Sequence, residues 1–318
     1  MDSGLACPVH PDAALTSGVE RASDQFFGIG DAYAYKRCGD CGALVLDPRP
    51  SPKEIGPYYA GYYTQDTLAQ LERRAANGKR VGIAGRLRAL GTIRRLTKLG
   101  AKIGPEHKLL DVGCGLGGFA RYMRQFTQVQ AHGVDFSPEC AAFAKKVHEL
   151  DVDVGELSAQ GYEDGAFDFV TSWHYLEHVY DPAAEIERMA RLLKPGGWFI
   201  SETPTNDVLA KIFGRHWLYL MPPTHLYHYR PATMRALVEK AGLEVVHVAR
   251  PWFPGELAGS LTFAAGVRGF VPKVFSPNRS KLLTLGFFLQ MVYDVPATAI
   301  LAWLGRSGLM RVYARKPA

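Results

Sequence analysis

Along most of the chain, apolar residues follow two alternating patterns. Between residues 105 and 250, short apolar runs at 108–112, 131–135, 152–154, 167–172, 198–201 and 243–248 read as strands. Stretches at 119–126 and 182–193 read as helices, the second with a proline in its first turn. Strands separated by helices predict right-handed crossovers and a parallel sheet covered on both faces, an α/β fold class. Residues 309–314 add one more strand, without a preceding helix to match the alternation.

Two stretches depart from that rhythm. From 68 to 103, Ile83, Leu87, Leu90, Ile93 or Leu96, Leu99 and Ile103 recur mostly at spacings of three or four, with Arg86, Arg88, Arg94, Arg95, Lys98 and Lys102 in the intervals. This predicts a basic amphipathic helix, interrupted near Asn77-Gly78 and again between Gly82 and Gly91, with its charges on a solvated face. From 282 to 305 there is one charge, Asp294, and one interior proline, Pro296. The length suits a bilayer, but a central charge and proline predict instead a hairpin of two short helices, 282–293 and 297–304. The chain then divides into an amino-terminal segment 1–50, a basic helical lead 51–104, a core of 105–250 completed by 309–318, and an apolar helical insertion 251–308.

Composition narrows the class. At 318 residues, 47% hydrophobic and 21% charged, the chain can bury a sizeable core, which excludes a disordered or fibrous protein. The 37 Lys/Arg and 31 Asp/Glu leave +6, but residues 68–108 alone hold eleven basic residues against two acids. The basicity is therefore local, and nucleic acid, phosphate or an anionic membrane surface could each answer it. Five cysteines are too few and too irregular for a secreted disulfide framework, and the polar start leads into no apolar run, so a reducing cytoplasm is the expected location.

Cys7-Pro-Val-His10 and Cys38-Gly-Asp-Cys41 each leave two residues between potential ligands, the spacing of a metal knuckle. Together they predict a Cys3His set closed around a structural Zn²⁺. The alternative is that Cys7 and His10 are a chance pair in a loose terminus.

The segment Asp111-Val112-Gly113-Cys114-Gly115-Leu116-Gly117-Gly118 carries the most information. Gly113, Gly115 and Gly118 satisfy G-x-G-x-x-G, and Asp135 follows Gly115 by twenty residues. Glycines allow close approach to the backbone, a helix amino terminus attracts an anionic group, and an acid can hold ribose hydroxyls. That physics serves any nucleoside cofactor, whether the anion is a pyrophosphate or a carboxylate.

Asp111 to Gly117, then Val134-Asp135, then Phe167-Asp168-Phe169-Val170 with Leu176-Glu177-His178-Val179, then Leu192-Leu193-Lys194-Pro195-Gly196-Gly197 resemble, in order, the motifs of class I S-adenosylmethionine-dependent methyltransferases. The resemblance covers about 105–250 and the final strand, and implies a Rossmann-like seven-stranded sheet. Arg37-Cys38-Gly39-Asp40-Cys41-Gly42, Asp47-Pro48-Arg49-Pro50 and the pairs Tyr58-Tyr59 and Tyr62-Tyr63 resemble a subgroup with an amino-terminal zinc knuckle, associated with sugar, polysaccharide or other small-molecule modification. The resemblance implies that Gly113, Gly115, Gly117 and their amides face the methionine part of S-adenosylmethionine and that Asp111 supports the loop and the amino group. Asp135 would take the ribose hydroxyls and Glu156 and Leu157 the adenine, while Trp173 and His174 would lie near the sulfonium. For Trp173, ordinary packing is the competing expectation.

An oxygen or carbon acceptor must lose a proton, and histidine is the natural base. His225 is the first candidate, with His178 and His174; His228 lies beside them in Thr224-His225-Leu226-Tyr227-His228-Tyr229, which resembles the family's pattern at the rim of the substrate pocket. The run His174-Tyr175-Leu176-Glu177-His178 also spells H-x-x-E-H, but it follows a strand instead of lying on a long helix. A related quinone O-methyltransferase group carries two acids and a histidine here for a metal; His174 stands where the first acid would fall, which argues against one. The insertions at 204–230 and 251–308 are expected to wall the pocket and to favour an acceptor with a hydrophobic portion.

The leading expectation is methyl transfer to O or C of a sugar-containing, quinone-like or lipid-linked small molecule. The hairpin and basic helix are expected to meet the inner face of a membrane, to pack on the core or to form a homodimer contact. The alternatives are a zinc-knuckle module binding nucleic acid or protein, and a nicotinamide oxidoreductase. Nucleic acid is not expected, because the basic stretch is poor in aromatics for base stacking.

Overall fold

The structure is a computed structural model that describes residues 5–26, 28, 32–60, 64–77, 83–269 and 281–318. In chain order, the strands are β1 (Leu15–Ala22), β2 (Tyr33–Cys38), β3 (Leu44–Asp47), β4 (Lys108–Val112), β5 (Gln130–Asp135), β6 (Val152–Val154), β7 (Phe167–Trp173), β8 (Leu193–Pro204), β9 (Tyr227–His228), β10 (Glu244–Ala249) and β11 (Leu309–Arg315). The helices are α1 (Pro52–Ala60), α2 (Gln65–Ala76), α3 (Ile83–Lys98), α4 (Gly118–Thr127), α5 (Pro138–His148), α6 (Pro182–Leu192), α7 (Val208–Phe213), α8 (Pro231–Lys240), α9 (Glu256–Ala264) and α10 (Lys281–Trp303).

The central sheet has the order β10-β11-β8-β7-β4-β5-β6, with β11 antiparallel to both neighbours and the rest parallel where they pair. Leu109, Leu110, Phe169, Val170, Phe199 and Ile200 are almost fully buried, because helices cover both faces and leave these strands no polar side. The strand order reverses at β4 and β7, and the crevice beyond their carboxyl ends is where such a sheet binds ligands. The strand lacking a crossover helix, β11, fits by running antiparallel between β8 and β10. Caps fix the helix starts: Ser137 accepts from the Cys140 amide at α5 and Asp181 from the Ala184 amide at α6, each followed by proline.

Three local expectations change. First, α3 runs unbroken through Gly85 and Gly91. Gly85 is there for contact: a Cβ would lie 2.7 Å from the Gly118 carbonyl carbon where α3 crosses α4. The helix buries Ala89, Thr92 and Leu96, whereas Ile83, Leu87 and Leu90 are exposed, so its inner face is rotated from the expected apolar stripe. Asn77 ends α2 as expected; Gly78, Gly82, Tyr62 and Tyr63 lie outside the described residues.

Second, the expected hairpin at 282–304 is instead the single helix α10, continuous through Pro296. Proline costs one backbone donor, and Pro296 sits on the exposed side, where its ring meets little. Asp294 does not interrupt the helix because it turns inward, accepting from the Gly255 amide at 2.6 Å and the Ala258 amide at 2.8 Å, and so caps α9. Third, the amino-terminal segment is a sheet of order β1-β2-β3-β9 whose last strand comes from the core, with Leu44 paired to His228 and Val45 to Tyr227.

Candidate active site

Gly113, Gly115 and Gly117 take φ of 66°, 52° and 72° in the turn from β4 to α4. A Cβ at Gly113 would lie 2.5 Å from the Tyr175 ring and one at Gly117 2.7 Å from Leu150, so space as well as backbone angle demands glycine. At the tip of β5, Asp135 accepts from the Gly115 amide at 2.7 Å and from the Ser137 amide at 3.0 Å, which ties the turn to the neighbouring strand. Asp111 is fully buried; the Thr171 hydroxyl donates to Oδ1 at 2.7 Å, while Oδ2 has no partner among the described residues. Burial pushes this carboxyl up to about 7. An orphaned buried oxygen beside a glycine cradle fits a nucleoside cofactor that carries a cationic amine. Leu157 is buried beyond β6, and Glu156 before it is exposed.

The other side of the crevice is built from the turn after β7, from β8 and from the loop before β9. His174 takes φ of 51°, uncommon without glycine. Its Nδ1 lies 3.3 Å from Glu177 Oε1 and its Nε2 3.6 Å from Glu202 Oε1. Burial opposes charge on this ring, but the two carboxylates outweigh it and raise the pKa. His178 and His225 shift the other way, both lowered first by burial, although Glu177 works against the shift at His178. The Thr224 carbonyl can only accept, so His178 Nδ1 donates to it at 2.8 Å and Nε2 keeps a lone pair. The His178 and His225 rings stand 4.6 Å apart, nearly perpendicular. His228 turns aside to the Leu220 carbonyl at 3.1 Å, and burial lowers it to about 4. Tyr59 of α1 reaches His178 at 3.3 Å, with its ring against Phe136 next to Asp135, and so spans the two halves of the crevice.

Nothing in the sequence reading singles out the group beneath His174. Glu202, 2% exposed at the end of β8, receives Arg88 of α3 on Oε1 (3.0 and 2.9 Å) and Arg311 of β11 on Oε2 (2.9 Å). Burial would raise its pKa, yet Arg311 and Arg88 hold it well below the usual carboxylate range. The two guanidinium carbons lie 5.0 and 4.9 Å from the Trp173 ring centre, and the ring also packs on Phe119 at 4.4 Å. The available signal was an acid inside a strand that otherwise reads as buried. Arg88 had none, being one of five basic residues on its helix.

Glu177, His178 and His225 offer ligand atoms within 4.8 Å of one another. They do not reproduce a site with two acids, because His174 occupies the place of the first and is drawn onto Glu177. The H-x-x-E-H run lies in the turn after β7, away from any helix.

At the amino terminus, Cys7, Cys38 and Cys41 bring their sulfurs within 4.8 Å, Cys7 and Cys41 being 3.5 Å apart. Zn–S bonds of about 2.3 Å in a tetrahedron put sulfurs about 3.8 Å apart, so the three thiols fit Zn²⁺. With no metal beside it, the Cys7 thiol is pushed up, first by its contact with Cys41 and then by burial, while the amides of His10 and Val9 work the other way. His10 does not join them as expected: its ring is part-exposed, with Nδ1 3.8 Å from Asp40, because the turn closed by the Ala13 amide on the His10 carbonyl carries it outward.

A family model described as a methyltransferase domain matches residues 84–248. A ubiquinone biosynthesis O-methyltransferase of Xanthomonas axonopodis pv. citri is 34% identical over 186 residues, covering 52% of this chain and 76% of the relative. One of Burkholderia pseudomallei is 31% identical over 158 residues, 45% of this chain and 67% of its own length. The solved phosphoethanolamine N-methyltransferase 2 of Haemonchus contortus superposes with a TM-score of 0.58 at 20% identity, over 86% of this chain and 62% of that one, and so shares the fold. The span matched in sequence contains the glycine turn, Asp135 and the histidine loop, and the chain accordingly belongs to the methyltransferase-domain family as a class I S-adenosylmethionine-dependent methyltransferase.

Proposed function

We propose that the enzyme methylates a hydroxyl oxygen of a small-molecule acceptor that has an apolar portion, quinone-like or lipid-linked. The observation that carries this reading is the split among the histidines: His174 held toward its cationic form by Glu177 and Glu202, and His178 held neutral with Nε2 free. The relatives named for O-methylation support oxygen over carbon.

In this reading Gly113, Gly115 and Gly117 cradle the donor, Asp111 takes its amino group, Asp135 its ribose, and Glu156 and Leu157 its adenine. Trp173, stiffened between Arg88 and Arg311, forms the floor. The bound donor supplies a methyl on a sulfonium, so that an O–C bond forms as the C–S bond breaks. His178 Nε2 receives the hydroxyl proton, His225 backs its ring, and His174 steadies the oxygen's negative charge. The oxygen must lie about 3 Å from the methyl carbon with water kept out, and Tyr59, Trp217 and Tyr219 supply cover. Cys7, Cys38 and Cys41 would hold a Zn²⁺ with a structural role.

The test is calorimetry with S-adenosylhomocysteine and with NADH, followed by turnover on a catechol-type acceptor compared with its mono-deoxy analogue. Binding of the first ligand only, with an O-methyl product from the catechol, is expected. Binding of NADH alone, or methylation at carbon, would overturn the reading.

A further inference from the structure

We propose that the α9–α10 insertion seats the enzyme on an anionic lipid bilayer, with α10 lying along the surface and its apolar arc in the interfacial layer. The proposal deepens the acceptor reading above and rests on it only for what the lipid would deliver.

The amphipathic sense of α10 is inverted. Phe287, Asp294 and Thr298 face the protein, while Leu282, Leu285, Leu289, Val292, Ile300 and Trp303 are exposed, Leu282 by 79% and Trp303 by 84%. At about 100° per residue the exposed apolar positions sweep roughly half the circumference. Apolar surface this contiguous is seldom left to water on a soluble monomer. The only acid on the helix is spent inside, on the amides of Gly255 and Ala258, so no exposed charge interrupts the arc between Lys281 and Arg306.

The helix is long and apolar enough to cross a membrane, yet its attachments argue for lying on one. Asp294 grips α9 and Thr298 accepts from the Trp252 indole at 3.0 Å, so a crossing would drag the start of α9, with buried Glu256, into hydrocarbon. An interfacial helix keeps these contacts. The flanking charges are basic and match anionic headgroups: Lys281 is exposed, and Arg306 stays more than half exposed although it lies 3.6 Å from Asp207. They also disfavour parallel self-pairing, which sets Lys281 beside a second copy's Lys281 with no exposed acid on the helix to offset it.

The face is continuous with the pocket. Half-exposed Trp252 and Phe253 extend the arc; Phe253 lies 6.2 Å from Tyr219, and Tyr219 6.5 Å from His174, ring centre to ring centre. On α3, Ile83, Leu87, Leu90 and Arg94 are also exposed, while Arg88 reaches Glu202.

The experiment is flotation of the full chain with vesicles of phosphatidylglycerol and phosphatidylcholine, and with phosphatidylcholine alone, beside the variant Leu285→Ser/Val292→Ser/Trp303→Ser. The wild type is expected to float with the anionic vesicles, less so at high salt, and the variant about tenfold less, with S-adenosylhomocysteine affinity and circular dichroism unchanged. Equal soluble recovery of the two proteins overturns the proposal. So does a wild type that ignores vesicles and sediments as a dimer while the variant is a monomer, which would make the face a subunit contact. Flotation by a wild type that fails to bind S-adenosylhomocysteine would instead overturn the function reading and leave the lipid contact standing.

Discussion

The two halves of the crevice obtain their chemistry by different means. On the donor side, one turn and one neighbouring strand tip supply nearly everything, mostly through backbone amides and missing side chains. On the other side, α1, α3, the turn after β7, β8, β11 and the loop before β9 contribute between one and three side chains each to a buried network of acids, guanidiniums and imidazoles. A backbone cradle is robust to any single polar change, whereas a side-chain network fails when one member leaves.

Replacing Glu202 with Ala tests that contrast most severely. It leaves Arg88 and Arg311 facing each other without their shared anion, and a loss of about 3–5 kcal/mol is expected in denaturant unfolding. A loss under 1 kcal/mol would mean that the network matters less than its burial suggests. Changing His178 to Asn is expected to lower kcat on the order of a hundredfold with little change in S-adenosylhomocysteine affinity, and to remove the acid limb of the pH–rate profile. On the donor side, Asp135→Ala should weaken S-adenosylhomocysteine binding only about tenfold by calorimetry, because the turn keeps its own hydrogen bonds. A smaller effect concerns Asp111. Its carboxyl sits at about 7 in the free protein, so placing a ligand ammonium beside it should release part of a proton near neutral pH. Calorimetry in buffers of different ionisation enthalpy reads that release; none would put the amino group elsewhere.

The pH dependence of stability sharpens the comparison from the acceptor side. His174 has its folded pKa raised, so its contribution is fully present below its unfolded pKa of about 6.5 and is lost as pH rises through the folded value. The difference in Tm between wild type and His174→Gln should therefore narrow as pH increases, and a difference that widens would contradict the assignment.

What was legible in the sequence follows the same division. The glycine turn, Asp135 and the strand order around them are local, with spacing set by one β–α–β unit, so residue numbers alone carry them. Glu202 with Arg88 and Arg311 joins positions more than a hundred residues apart, and no periodicity announces such a meeting. Asp294 misled for a related reason: a charge in an apolar run reads as a break until the amides of α9 are known to receive it. His10 had the right spacing but lies on the wrong side of its turn.

The Tyr35 hydroxyl in β2 donates at 2.8 Å to the carbonyls of both Leu220 and His225, and β3 pairs with the strand that carries His228. β2 and β3 thus splint the loop that carries His225 and His228. On the function proposed above, damage to the neighbouring thiol cluster, such as oxidation of Cys7 or Cys41, would be felt as a slackened histidine pair, stopping turnover in an enzyme that still fills normally with its donor.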